Sequence, residues 1–131
     1  MAKSGLKISE IMDRKLVAVS MSTTIKAAAK LVQTSGVGML PVLSDGKLMG
    51  VVLEEELFEY IMAHPGAEDQ SKNVTLVMRK PVFAEADAPL ETAIKKVADN
   101  NLTRLPIVDS VKNMQCVGIV SASELLKEAS K

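Results

Sequence analysis

Along this chain the apolar spacing shifts from alternation to a helical stripe and back, and the whole cycle then runs a second time. Leu16–Val19 alternates and predicts a short strand. Ile25, Ala28, Ala29, Leu31 and Val32 then fall on one helical stripe, opened by Thr23-Thr24 and closed near Gly36. Two strand-like runs follow, Met39–Leu43 and Leu48–Val52, separated by Ser44-Asp45-Gly46-Lys47. Asp-Gly between apolar runs marks a hairpin. A helix over Glu54–Met62 ends the cycle. The second cycle has Val82–Ala84, then a stripe of Leu90, Ala93, Ile94 and Val97 behind Asp87 and Pro89. Strands at Leu105–Val108 and Gln115–Val120 come next, with a longer turn, and then a helix over Ala122–Glu128.

The residues repeat along with the periods. Ile8-Ser9-Glu10-Ile11-Met12 matches Val74-Thr75-Leu76-Val77-Met78, and Met39-Leu40-Pro41-Val42-Leu43 matches Arg104-Leu105-Pro106-Ile107-Val108. Leu48-Met49-Gly50-Val51-Val52 matches Cys116-Val117-Gly118-Ile119-Val120, and Glu56-Leu57 matches Glu124-Leu125. The main difference in length is the polar turn between Pro and Gly, where insertions cost little. The expected organisation is a first repeat at 8–63, a polar linker at 64–72 and a second repeat at 73–128. The fold class is mixed α/β (α+β): two β-α-β-β-α repeats. A unit of that size buries little surface alone. The expectation is that the two pack sheet to sheet with pseudo-twofold symmetry and one cleft per repeat.

Composition narrows the function. The 131 residues are 47% hydrophobic, too apolar for a disordered chain. Sixteen Lys+Arg balance sixteen Asp+Glu, and the aromatics are Phe58, Tyr60 and Phe83. A neutral chain without a stacking platform is a poor nucleic-acid binder. One cysteine and one histidine leave no cysteine cluster or His-based metal site, and no internal disulfide. Cys116 sits in an apolar strand, where an inert buried thiol outweighs a Cys116–His64 nucleophile pair. The polar start, Met1–Lys7, has no apolar signal segment, and no apolar run approaches 18 residues. These features predict a cytoplasmic domain with no membrane span and little machinery for catalysis.

The two ordered sets of markers resemble a tandem pair of cystathionine-β-synthase-type (CBS) domains, a Bateman module, from about Ile8 to Leu126. The markers are the Ile-Met and Val-Met lead-ins, the Leu-Pro-Val/Ile strands and the closing Gly-x-Val-x-x-x-Glu-Leu segments. The resemblance implies a regulatory module that binds an adenosine compound, most commonly AMP, ADP or ATP. It also implies a disc-shaped homodimer and signalling to an effector protein. The family's motif, Gly-h-h-Ser/Thr-x-x-Asp, corresponds to Gly118-Ile119-Val120-Ser121-Ala122-Ser123-Glu124, with Glu124 in place of Asp. A carboxylate accepts both ribose hydroxyls, and a helix start with flanking hydroxyls suits a phosphate. Arg104 matches a phosphate-contacting arginine in the gamma subunit of AMP-activated protein kinase, a member of this family. Pro106, with Phe83 and Leu102 beside the adenine, completes the expected site. Ser121-x-x-Glu124 also reads as a capping box, which needs no ligand.

In the first repeat Leu53, Glu54-Glu55-Glu56 and Met39 stand at the corresponding places, so no phosphorylated ligand is expected there. An acidic solvated first turn suits the helix dipole, and a divalent cation on these carboxylates is the sharper alternative. The eight methionines read as core filler, His64 as a helix cap or solvated residue, and Lys95, Lys96 and Lys127 as exposed faces. Leu57, Phe58, Ile61 and Met62 read as a stripe exceeding one small core, which a homodimer would cover. The repeats nearly fill the sequence, so an effector is expected on another chain. The leading reading is a sensor of an adenosine compound with no required cofactor. A ligand-free dimerisation scaffold is the alternative, and an enzyme is the least supported class.

Overall fold

The structure, a computed structural model, describes residues 5–131; the polar start read as free of a signal segment lies partly outside them. It shows the expected mixed α/β class, with two three-stranded sheets and their helices, grouped into two compact units. The first unit, Val17–Pro81, contains β1 (Val19–Ser20), α1 (Ile25–Ser35), β2 (Met39–Ser44), β3 (Lys47–Leu53), α2 (Glu54–Ala63) and α3 (Ala67–Gln70). A 3-10 turn at Val74–Leu76 follows. The second unit joins residues 5–16 to 82–131. It contains a 3-10 turn at Ile8–Glu10, β4 (Ala84–Glu85), α4 (Leu90–Asn100), β5 (Arg104–Val108), β6 (Cys116–Ser121) and α5 (Ala122–Ala129). Among the described residues no helix is long and apolar enough to cross a membrane.

Each sheet is built the same way. β1 lies parallel to β2, and β2 antiparallel to β3; β4, β5 and β6 repeat that order. The first hairpin turns at Asp45 (φ 50°) and Gly46 (φ 80°), the two positive φ angles that a two-residue turn requires. In the longer second turn the Asp109 carboxylate accepts from Ser110 N–H, Gln115 N–H and the Asn113 amide. The Asn113 hydrogen bond, ahead of the opposing desolvation, holds its carboxyl below the usual range. α1 opens on the Thr24 side chain, which accepts from Ala27 N–H, and closes at Gly36 in the left-handed region. α4 closes on Asn101, also left-handed.

The lead-ins are exchanged. Ile8 and Met12 pack with Ala84, Leu90, Leu105 and Ile107 of the second repeat. Val74 packs with Val19, Ile25, Leu40 and Val42 of the first, and Met78 lies against them. The exchange rests on matched hydrogen bonds. Ile8 N–H donates to Ala88 O (3.0 Å) and Val74 N–H to Thr23 O (2.9 Å). Farther along, Asp13 and Ile119 trade backbone hydrogen bonds of 2.8 and 2.9 Å, as Arg79 and Val51 do at 2.9 and 3.0 Å. Each lead-in therefore extends a sheet past its hairpin. Burying an aliphatic side chain such as Ile8 or Val74 stabilises its unit by about 1.5–3 kcal/mol.

Several expectations shift in detail. The alternating stretches pair over two residues only, Val19–Ser20 and Ala84–Glu85. The linker contains α3, the four-residue turn behind Pro65-Gly66. Leu57 is buried and Ile61 packs on the core, leaving Phe58 and Met62 as the exposed part of the α2 stripe. Lys96 is not a free exposed lysine: its Nζ donates to Phe83 O at 2.7 Å and lies 5.3 Å from that ring's centre. Cys116 is buried, which pushes its thiol pKa up, consistent with an inert role. His64 is exposed at the end of α2 and stacks on Tyr60.

Gly118 is where the second unit closes on its lead-in. A Cβ added there would meet Met12 Sδ at 2.7 Å and Asp13 O at 3.0 Å. Gly118→Ala is expected to destabilise the protein by about 1–3 kcal/mol by forcing the lead-in outward. Urea unfolding measures this, and a variant as stable as wild type would show that the lead-in yields at no cost.

Candidate functional site

The register of β5 and β6 assembles the expected residues. Arg104 pairs directly with Ser121, so the first residue of β5 faces the junction between β6 and α5. Ser121 caps α5: its Oγ accepts the Glu124 N–H at 3.1 Å and lies 3.2 Å from Ser123 Oγ. The capping box is only half made, because the Glu124 carboxylate does not return to the Ser121 N–H. That leaves the carboxylate to the cleft. Arg104, Ser121, Ser123 and Glu124 line one cavity of about 240 Å³, walled also by Ile11 and Ile119. Among the described residues the Arg104 guanidinium has no ion pair or hydrogen bond. The cleft thus offers an always-charged planar donor, two hydroxyls, a helix N-terminus and a carboxylate. This donor set fits a phosphorylated sugar.

The cleft holds one charge that the sequence reading did not single out. Asp13 lines it, brought there by the backbone pairing with Ile119. Its Oδ1 accepts the Lys15 N–H at 3.0 Å. No local feature distinguishes Asp13 from an ordinary surface residue. Comparison with its counterpart in the other lead-in, Arg79, would have drawn attention to it.

The first unit is wired differently at the matching places. Arg79 Nε and Glu56 Oε2 form an ion pair at 2.7 Å, so the carboxylate corresponding to Glu124 is already engaged. These two residues line a cavity of about 400 Å³ together with Glu59, Tyr60 and Met78. Glu56 Oε1 is buried without a hydrogen-bond partner. Met39, which takes the place of Arg104, is buried in the core.

The family model for the CBS domain matches residues 8–63 and 72–131. The chain belongs to the CBS domain family. It is 30% identical over 125 residues to protein MJ0188 of Methanocaldococcus jannaschii, covering 94% of this chain and 44% of that one. It therefore spans less than half the length of that relative. The fold also matches the structure of CBSX2 in complex with AMP, at a TM-score of 0.83 and 22% identity over 96% of this chain and 97% of that one. The CBS domain pair of protein MJ0100, in complex with 5′-methylthioadenosine and S-adenosyl-L-methionine, matches at a TM-score of 0.79 and 22% identity. That match covers 96% of this chain and 98% of that one.

In this CBS pair three of the expected site residues stand apart from the cleft lining. Pro106 is buried in β5 opposite Ile119. The Leu102 N–H donates to Val97 O at 3.0 Å, closing α4, and its side chain packs on the core. Phe83 sits just before β4, with its carbonyl held by Lys96. The site residues that share one cavity are thus Arg104, Ser121, Ser123 and Glu124.

The Glu56–Arg79 pair gives a direct expectation. Arg79 is largely exposed, so the pair itself contributes little. Removing it leaves a carboxylate with one buried oxygen and no compensating charge. Arg79→Ala is expected to lower stability by about 1 kcal/mol, and the double variant Arg79→Ala with Glu56→Gln to recover part of that loss. Denaturant titration of the three proteins checks both.

Proposed function

We propose that this CBS pair is a regulatory module in which the second unit's cleft binds one adenosine-containing ligand, AMP, ADP or ATP. Binding is read out by a partner protein. The observation that carries this is the unpaired Arg104 guanidinium in one cavity with the α5 N-terminus, two serine hydroxyls and an unengaged Glu124 carboxylate. In this reading Arg104 and the serine hydroxyls take the phosphate, and Glu124 takes the ribose hydroxyls. The adenine reaches the main chain near Phe83 and Leu102, beyond the lined part of the cavity. The AMP held by CBSX2, and the adenosine compounds held by the MJ0100 pair, support this ligand class. The first unit takes no phosphorylated ligand, because Arg79 already holds Glu56 and no cation replaces Met39. The module performs no reaction of its own. A ligand shifts the partner equilibrium only through its differential affinity for two states of the module.

The second reading, a ligand-free scaffold, is favoured by one observation: Ser121 caps α5 without any ligand. A melting temperature that rises with nucleotide separates the two readings, because only a ligand of the folded form stabilises it. Either reading includes a homodimer. Phe58 (64% exposed) and Leu126 (70% exposed) occupy matching positions of the two repeats, and Met62 lies one turn beyond Phe58. Light scattering at high micromolar concentration is expected to give twice the 14.0 kDa chain mass. A particle of single-chain mass would remove the dimer from the proposal.

Calorimetry with AMP, ADP, ATP and S-adenosylmethionine is the direct test of the ligand. One site per chain is expected, with Arg104→Ala weakening AMP binding by about 1.5–3 kcal/mol. If no adenosine compound binds the wild type at millimolar concentration, the sensor reading is wrong. Two sites per chain would refute the assignment of the first unit.

A further inference from the structure

Matching positions in the two lead-ins carry opposite charges, and the structure shows what each does. Arg79 and Asp13 both follow the lead-in methionine, and both are held by a backbone pair to the third strand of their own unit. Arg79 turns its guanidinium onto Glu56. Asp13 instead adds a second carboxylate to the cavity that holds Glu124 and Arg104. Among the described residues no cation forms an ion pair with it. Arg14 reaches its own turn, with Nη2 3.5 Å from Ser9 O, and Lys15 meets Asp13 only through its backbone N–H. Arg104 pairs with neither carboxylate. Lined by two carboxylates and one guanidinium, the cavity carries a net negative charge before any ligand enters.

We infer that Asp13 is a specificity-determining residue that makes the second cleft favour adenosine compounds bearing one phosphate or none over those bearing a polyphosphate. The inference rests on the proposed nucleotide reading of that cleft. One guanidinium and one helix N-terminus balance a single phosphate. A second and third phosphate would add negative charge to a cavity that Asp13 and Glu124 already line, with no further cation among its lining residues. Asp13 is exposed, so water and salt weaken its repulsion of a phosphate, but like charges lining one small cavity still oppose each other. Glu124 does not act in the same way, because its carboxylate is assigned to the ribose in every ligand of the series.

The test is calorimetry on the full chain with adenosine, AMP, ADP and ATP, in metal-free buffer so that no cation neutralises the phosphates. Wild type is expected to bind AMP about tenfold or more tightly than ATP. Asp13→Asn keeps the oxygen that accepts the Lys15 N–H and leaves both backbone bonds to Ile119 intact, so the fold is retained. It is expected to narrow the gap at least about threefold, by tightening ATP much more than AMP or adenosine. Asp13→Glu is expected to keep the wild-type preference. The difference between wild type and Asp13→Asn is expected to shrink as salt rises. If AMP binds but ATP binds equally well or better, or if Asp13→Asn leaves the ratio unchanged, this inference is overturned while the nucleotide reading stands. If no adenosine compound binds, both fall.

Discussion

In each unit a lead-in methionine lies directly against a strand glycine, and the clefts depend on that contact. A Cβ on Gly50 would come within 2.5 Å of Met78 Cγ and 2.7 Å of Arg79 O; Gly118 meets Met12 and Asp13 in the same way. With hydrogen at these positions the lead-in lies flat on the sheet, its backbone pairs with the strand, and the next side chain enters the cleft. Methionine is suited to this place because its unbranched, polarisable side chain fills the gap beside a bare backbone. One steric allowance therefore sets both the packing of the lead-in and the position of the residue that gives each cleft its charge.

From that shared frame the two clefts diverge by a few charges. In the first unit a cation meets a glutamate and the pair closes on itself, leaving one carboxylate oxygen without a partner. In the second an arginine, a glutamate and an aspartate share a cavity without pairing. In the proposed reading, duplicated backbones with different side chains at equivalent places let one fold carry a structural copy and a binding copy together, and it is the charges, not the fold, that support this division.

Much of this architecture is legible in the chain itself. The helical stripes, the Asp45-Gly46 turn and the matching Leu-Pro segments place the helices and hairpins nearly to the residue, because local periodicity and turn chemistry act over short distances. The strands before α1 and α4 are overestimated, since alternation reports an extended backbone and not how much of it finds a partner. The exchange of the lead-ins is invisible for a different reason. Ile8–Met12 and Val74–Met78 carry the same apolar pattern, so either fits either sheet, and only tertiary connectivity selects between them. Arg104, Ser121, Ser123 and Glu124 are visible as a motif. Asp13 enters the cavity through a pairing with distant Ile119, which no window of local sequence contains.

The exchanged lead-ins also impose an order in time. The first unit is built from continuous chain and has every strand once residue 81 has been made. The second pairs its early segment with Ala86 and Ala88 and then with Ile119, so it cannot close before Ile119 is available. Contacts so distant in sequence are slow to form. The cavity with Arg104 therefore draws its walls from residues 11 to 124, and a chain cut before Ile119 has no such cavity to fill.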